Sequence, residues 1–191
     1  GEWEAKIKEI SKGIVEFNIT KQLRQKENNK EIWLAFSPIK SNYFNFMMQK
    51  ATELGVTKFM PIIFERSVVR KINHNRLEKI IIEASEQSNR INIPVLEKCQ
   101  NLKNFLSKNN KKIELIFTDL NTENKKLEIK KTTDKPVCII IGPEGDFSEK
   151  ERKLIIDLNQ THSISLAKNI LRAETAAVAA VTLINYHLNL S

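Results

Sequence analysis

Val137-Cys138-Ile139-Ile140-Ile141-Gly142-Pro143-Glu144-Gly145-Asp146-Phe147-Ser148 is the stretch on which the fold turns. Its five leading apolar residues fit a strand buried on both faces, as in a parallel sheet. The run breaks at Gly142-Pro143. Ser148 with Glu151 three residues later forms a capping box, so a helix starts there. A second turn of the same kind follows. His162 to Leu166 reads as a short strand, and Ala167 to Arg172 leads into Ala173-Glu174-Thr175-Ala176-Ala177 and a helix reaching Leu188. Two strand–loop–helix turns so close together are how an α/β fold builds a small-molecule site at the carboxyl ends of its strands.

The remaining chain fits an α/β fold with a mostly parallel sheet. Ile32 to Phe36 reads as a strand. Asn42 to Leu54 reads as a helix with Phe44, Met47, Met48, Ala51 and Leu54 on one face, stopped by Gly55. Val56 to Phe64 is strand-like, and Asn75 to Gln87 is helical with Leu77, Ile80, Ile81 and Ala84 inward. Asn101 to Lys108 is a short helix and Ile113 to Thr118 a buried strand. Asn121 to Asp134 is polar, a surface excursion. Val137 to Ile141 is expected at the sheet centre. Ahead of this unit, Trp3, Ala5 and Ile7 alternate with charged residues, Gly13 marks a turn, and Ile14 to Ile19 reads as a second strand. These are expected to be the tail of a small β domain over 1–20, joined by a polar linker at 21–31 to a main domain over 32–191. The first residue is Gly1, within a strand-like pattern, and the expectation is that a further segment precedes it in the natural chain.

Composition narrows the function. The formal net charge is +8 over 191 residues, which favours capture of a polyanion, with nucleic acid the leading partner. The abundance of Lys, Asn and Ile also fits a chain encoded by AT-rich DNA. The two cysteines, Cys99 and Cys138, are far apart and lack zinc or disulfide spacing, which points to a reducing, cytoplasmic setting. No apolar run approaches the roughly 20 residues that span a bilayer. His74, His162 and His187 are scattered, so no metal is expected. Gly142-Pro143-Glu144-Gly145 lacks the Lys-Ser/Thr end of a Walker loop and the spacing of a dinucleotide fingerprint. It offers a strand end at which backbone can approach a ligand closely.

GPEGDFS at 142–148, followed by SLAKNILRAETAA at 165–177, resembles the signature of the bacterial ribosomal RNA small subunit methyltransferase E family, of the SPOUT superfamily. Gln49-Lys50-Ala51-Thr52-Glu53-Leu54-Gly55-Val56, Glu65-Arg66-Ser67 and Glu83-Ala84-Ser85-Glu86-Gln87-Ser88-Asn89-Arg90 match as well, so the likeness runs from about Trp33 to Leu188. Two departures stand out. Asp146 stands where the family usually has a second glycine, and Ala167-Lys168-Asn169 where it usually has Gly-Pro-Arg.

The resemblance implies a fold, a reaction and residues. The fold would be a SPOUT sheet with a C-terminal trefoil knot, preceded by the remnant of a PUA-like RNA-binding β domain. The reaction would be methylation of uridine N3 in 16S rRNA of the small ribosomal subunit, by a homodimer using S-adenosylmethionine. Gly142, Leu166, Ile170 and Leu171 would enclose the adenine. Thr118, Ile141, Pro143, Glu144 and Gly145 would complete the cofactor site from the first side. Ala167, Asn169, Arg172, Thr175 and Ala176 would do so from the second. Glu53, Arg66, Gln87 and Arg90 would meet the RNA, although Glu83, Gln87 and Arg90 equally suit one solvated helix face. Arginine at a helix start is disfavoured by the dipole, which gives Arg172 a functional reason to be there. Glu174 is favoured in that position and serves either as a cap or, with Arg172, in catalysis. Glu144 is a second candidate base. Two other readings stay open: a SPOUT enzyme acting on ribose 2′-OH, and a non-catalytic RNA-binding assembly factor.

Overall fold

The computed structural model describes residues 1–25, 30–120, 122, 134–158 and 161–188. Residues 26–29 of the expected linker at 21–31, and the expected surface excursion apart from Thr122 and Asp134, lie outside the described residues.

β1 (Glu2–Ser11) and β2 (Ile14–Arg24) pair antiparallel as a two-stranded sheet. Lys12 and Gly13 turn the hairpin with φ of 47° and 82°, the left-handed geometry a tight two-residue loop needs. β2 runs to Arg24, so its last four residues, expected to be linker, belong to the strand. The ladder continues there through Glu4–Lys21, Trp3–Gln22 and Glu2–Arg24. Backbone pairing needs no apolar side chains, so polarity alone misplaced this boundary.

The α/β unit follows. It comprises β3 (Ile32–Phe36), α1 (Ser41–Glu53), β4 (Lys58–Ile63), α2 (His74–Gln87), β5 (Val95–Leu96), β6 (Gln100–Asn101) and α3 (Leu102–Asn109). Then come β7 (Glu114–Thr118), β8 (Val137–Ile141), α4 (Glu149–Ile156), β9 (Thr161–Ile164) and α5 (Ala173–Leu188). Strand order is β5-β4-β3-β8-β7-β9, with β6 also beside β4, and each pairing is parallel. β8 is central, as its unbroken apolar run implies. β5 and β6, two residues each, are too short to leave a period in the sequence.

Both faces of the sheet are covered. Ile32, Leu34 and Phe36 of β3 and Val137, Ile139 and Ile141 of β8 point into one core, with α1, α2 and α5. Trp33, Ala35, Cys138 and Ile140 point into the other, with α3 and α4. The period-2 alternation of a strand sorts these side chains to opposite layers. Ala177 and Ala180 of α5 are fully buried, which lets α5 come close to α1.

A parallel unit carries each strand toward one edge of the sheet and each helix back to the other. The C-terminus of α1 therefore lies at the amino edge, just before β4. Its last carbonyls are closed from two sides. Asn185 Nδ2 donates to Leu54 O at 2.6 Å, and Arg90 Nη1 donates to Thr52 O and to Val56 O. Arg90 is not on the expected polar ridge of α2. The helix ends at Gln87, and Asn89, with φ 55°, turns the chain so that Arg90 folds back under α1. Burial pulls the Arg90 pKa down from its ordinary value. Arg90→Ala removes a donor from two buried carbonyls, of which Thr52 O keeps the Gly55 amide, and is expected to lower unfolding free energy by about 1–3 kcal/mol in urea titrations. A variant as stable as the parent would return Arg90 to the RNA role.

Candidate functional site

At the carboxyl edge, the ends of β7, β8 and β9 open onto a cavity of about 670 Å³. The first turn, 142–148, is fixed by its own aromatic residue. Phe147 is buried and packs edge-on against Phe64 and Phe117, with centroids 5.2 and 5.0 Å away. Gly142 lies against that ring, and a Cβ there would sit 2.6 Å from Phe147 Cε2. Glycine is thus required by space. Asp146 has φ 60°, the left-handed region that glycine, asparagine and aspartate tolerate best. This is the position where the resemblance leads one to expect glycine. Asp146 Oδ1 accepts from the Phe147 amide at 2.8 Å, and Oδ2 accepts from Arg152 Nη2 at 3.1 Å.

Arg152 is the tie between the turns. It is buried on α4, and its other terminal nitrogen donates to Asp119 just beyond β7. Burial opposes its charge, but the hydrogen bond and charge of Asp119, then Asp146 and Glu149, outweigh it, so its pKa is raised. Two carboxylates share one guanidinium, an arrangement that holds only if its geometry is kept, because a lone buried charge is costly.

The Glu65-Arg66-Ser67 segment braces the same turn from behind. Glu65 N donates to Glu151 Oε1 at 2.8 Å, while Glu151 also closes the capping box on Ser148. Arg66 Nη1 donates to Gly145 O at 3.1 Å. Ser67 Oγ lies 2.8 Å from Ser37 Oγ and accepts from Phe64 N at 2.9 Å. This motif is therefore a frame for the turn.

Most of the expected pocket residues meet at the cavity. Thr118, Ile141, Gly142, Pro143 and Glu144 line one side. Leu166, Ala167, Asn169, Ile170, Leu171, Arg172, Glu174 and Ala176 line the other. Gly145 and Thr175 do not line it. Gly145 turns toward Arg66, and Thr175 is on an exposed face of α5. Of the four expected RNA contacts, Arg66 alone stands beside the cavity. Glu53 is paired with Lys50 near the end of α1 at 2.9 Å, and Gln87 ends α2, so both belong with Arg90 at the amino edge. The sequence brought them together as matched motifs, whereas the helices carry them to the opposite side of the sheet.

The sequence reading missed Lys40, Tyr43, Asp119, Leu120, Asp146, Phe147 and Ala173 as lining. The signal for Lys40 and Tyr43 was positional, since they enter α1 directly after the carboxyl end of β3. Arg172 at the mouth has its Cζ 4.7 Å from the Tyr43 ring centroid and its Nη1 3.9 Å from Glu174 Oε1. Glu174 is buried and Arg172 exposed. Among the described residues no three His, Cys, Asp or Glu side chains gather as a metal site, and no helix is long and apolar enough to cross a membrane.

The parallel sheet with its carboxyl-edge pocket lies within residues 26–185, which match the family model described as an RNA methyltransferase domain. The chain is 37% identical to the ribosomal RNA small subunit methyltransferase E of Rickettsia conorii over 182 residues, covering 95% of this chain and 75% of that one. It superposes on the same-named protein of Neisseria gonorrhoeae, solved bound to S-adenosyl methionine, with a TM-score of 0.85 at 28% identity, over 96% of this chain and 77% of that one. The chain belongs to the ribosomal RNA small subunit methyltransferase E family. It shares its fold, at 15% identity and a TM-score of 0.56, with the TrmH/SpoU tRNA modifying enzyme of A. aeolicus, over 86% of this chain and 78% of that one.

Gly142→Ala forces a methyl group into the Phe147 ring and is expected to cost about 1–3 kcal/mol of stability, read by thermal or urea unfolding. Phe147→Leu should also destabilise, and the double variant should lose less than the sum of the two single losses. An unaltered Gly142→Ala protein would mean that the ring does not hold the turn.

Proposed function

We propose that this chain uses S-adenosylmethionine to methylate N3 of a uridine in 16S rRNA of the small ribosomal subunit. The observation that carries the proposal is the cavity of about 670 Å³ between the two carboxyl-edge turns. Its chemistry fits the cofactor. Ile141, Pro143, Leu166 and Leu171 give apolar walls for a purine, and exposed backbone in the loops offers donors and acceptors. Gly142 brings bare backbone to the cavity wall, packed against the Phe147 ring. Asp119, Glu144, Asp146 and Glu174 place carboxylates around a cationic ligand, with Arg152 neutralising in part the first and third.

When bound, S-adenosylmethionine supplies a methyl group activated on sulfonium, with a neutral thioether as leaving group. The chain's own task is to align the acceptor nitrogen and exclude water. Uridine N3 must lose its proton to become a good nucleophile, and a guanidinium lowers the cost of the anion. Arg172 is the candidate cation at the mouth, where Lys40 also lines the cavity, and Glu174 beside it is the candidate proton acceptor, with Glu144 second. Arg66, tied to Gly145 O at the cavity edge, is the candidate phosphate contact. The acceptor base must be unpaired or opened, because its N3 edge is hidden in a duplex.

The proposal extends to architecture. β9 pairs with β7 at one flank of the sheet, while α5 packs with α1 on the face of β3 and β8, so 165–172 crosses the carboxyl ends of β7 and β8. That path supports a trefoil knot. The hairpin β1–β2 is proposed as the last part of a PUA-like β domain, supported by the apolar side chains exposed along it, among them Trp3, Ile7, Phe17 and Ile19. A cytoplasmic homodimer completes the proposal, with Leu183 and Tyr186 exposed on α5 as candidates for the covered surface.

The test is turnover on small ribosomal subunits lacking the modification, with labelled S-adenosylmethionine and digestion of the RNA to nucleosides. The expected product is N3-methyluridine from protein that sediments as a dimer. Arg172→Ala should lower kcat by about 10–1,000-fold with little change in cofactor Kd. A 2′-O-methyl nucleoside, or no product alongside absent cofactor binding, would contradict the proposal.

A further inference from the structure

The cavity mouth contains a contact that the reaction above leaves unused. Tyr43, in the first turn of α1, lies beneath the Arg172 guanidinium. Both side chains line the cavity, although they come from opposite ends of the α/β unit. Arg172 is 66% exposed in its side chain and its acidic neighbour Glu174 is 3.9 Å away, too far for a firm hydrogen bond. An arginine so placed at the start of a helix has a large rotamer entropy and an unfavourable dipole. An aromatic face opposes both, by attracting the cation and restricting where it can lie. The Tyr43 hydroxyl is also the largest influence raising the Arg172 pKa, ahead of Glu174 and Glu144.

We infer that Tyr43 is the positioning residue for Arg172: its ring holds the guanidinium over the cavity mouth, where it faces the acceptor base. The inference rests on the methyl-transfer reading for its consequence in turnover, but the pairing itself is a property of the free protein. Tyr43 would touch the reaction only through Arg172. Its loss should therefore appear in kcat and spare the binding of both substrates.

The experiment uses the whole chain and four variants: Tyr43→Phe, Tyr43→Leu, Arg172→Ala, and the double variant Tyr43→Leu with Arg172→Ala. NMR of the side-chain Nε–H of Arg172, assigned by its loss in Arg172→Ala, reports the contact without cofactor or RNA. The parent and Tyr43→Phe should show a ring-shifted, slowly rotating guanidinium, and Tyr43→Leu an averaged one. In turnover, Tyr43→Leu should lower kcat about tenfold while cofactor Kd and RNA KM stay within about twofold. Tyr43→Phe should restore most of the rate, and the double variant should be no slower than Arg172→Ala. The inference is overturned if the Arg172 signal is the same in Tyr43→Leu, if the two substitutions multiply, or if Tyr43→Leu loses cofactor binding together with rate. A parent protein that makes no methylated RNA would count against the methyl-transfer reading, and the NMR result would still decide the pairing.

Discussion

The Phe147 ring, set between Phe64 and Phe117, holds the turn on which the carboxyl edge depends. Full burial of a phenylalanine contributes about 1.5–3 kcal/mol, and edge-on aromatic pairs add about 0.5–1.5 kcal/mol each. That anchor forces residue 142 to be glycine, sets Asp146 at a positive φ, and starts α4 at its Ser148 cap. From α4, Arg152 reaches back to Asp119 and Asp146, so the exit of β7 and the exit of β8 are held to each other. The cavity lies where these restraints meet the chain leading into α5. A site built from backbone turns needs such a scaffold, because the turns have no ladder of their own to keep them in place.

The sheet also separates two sets of polar residues that look alike in sequence. At the carboxyl edge, Arg172 and Glu174 stand at the cavity, while Arg66, Asp119 and Asp146 are held in the frame of the turns. At the amino edge, Arg90 donates to the Thr52 and Val56 carbonyls at the exit of α1, and Arg24 reaches the side chain of Asn89. A helix end must find donors for its last carbonyls. An arginine that supplies them is as constrained as one that binds a ligand, so a motif match cannot tell the two apart.

The fold was legible where a period or a cap carried it. The run 137–141, the capping box at Ser148 and Glu151, the apolar stripe of α1 and the Ala-rich face of α5 each state a local structure. The pocket was legible through the two turns, because residues contiguous in sequence line it. Asp119, Arg152, Tyr43 and Lys40 were not, because they enter the site by packing across elements far apart in the chain. Their residue types are common on any surface. The short strands β5 and β6 escaped for a different reason: two residues of ladder leave no repeat to read.

The central claim is that 142–148 and 166–172 form two walls of one cofactor site. Backbone hydrogen exchange with and without saturating S-adenosylmethionine tests it directly. The account predicts slowed exchange at amides in both segments, rising together along one titration curve, with the amino-edge residues around Arg90 unchanged. Protection confined to one segment, or appearing only at the amino edge, would contradict it.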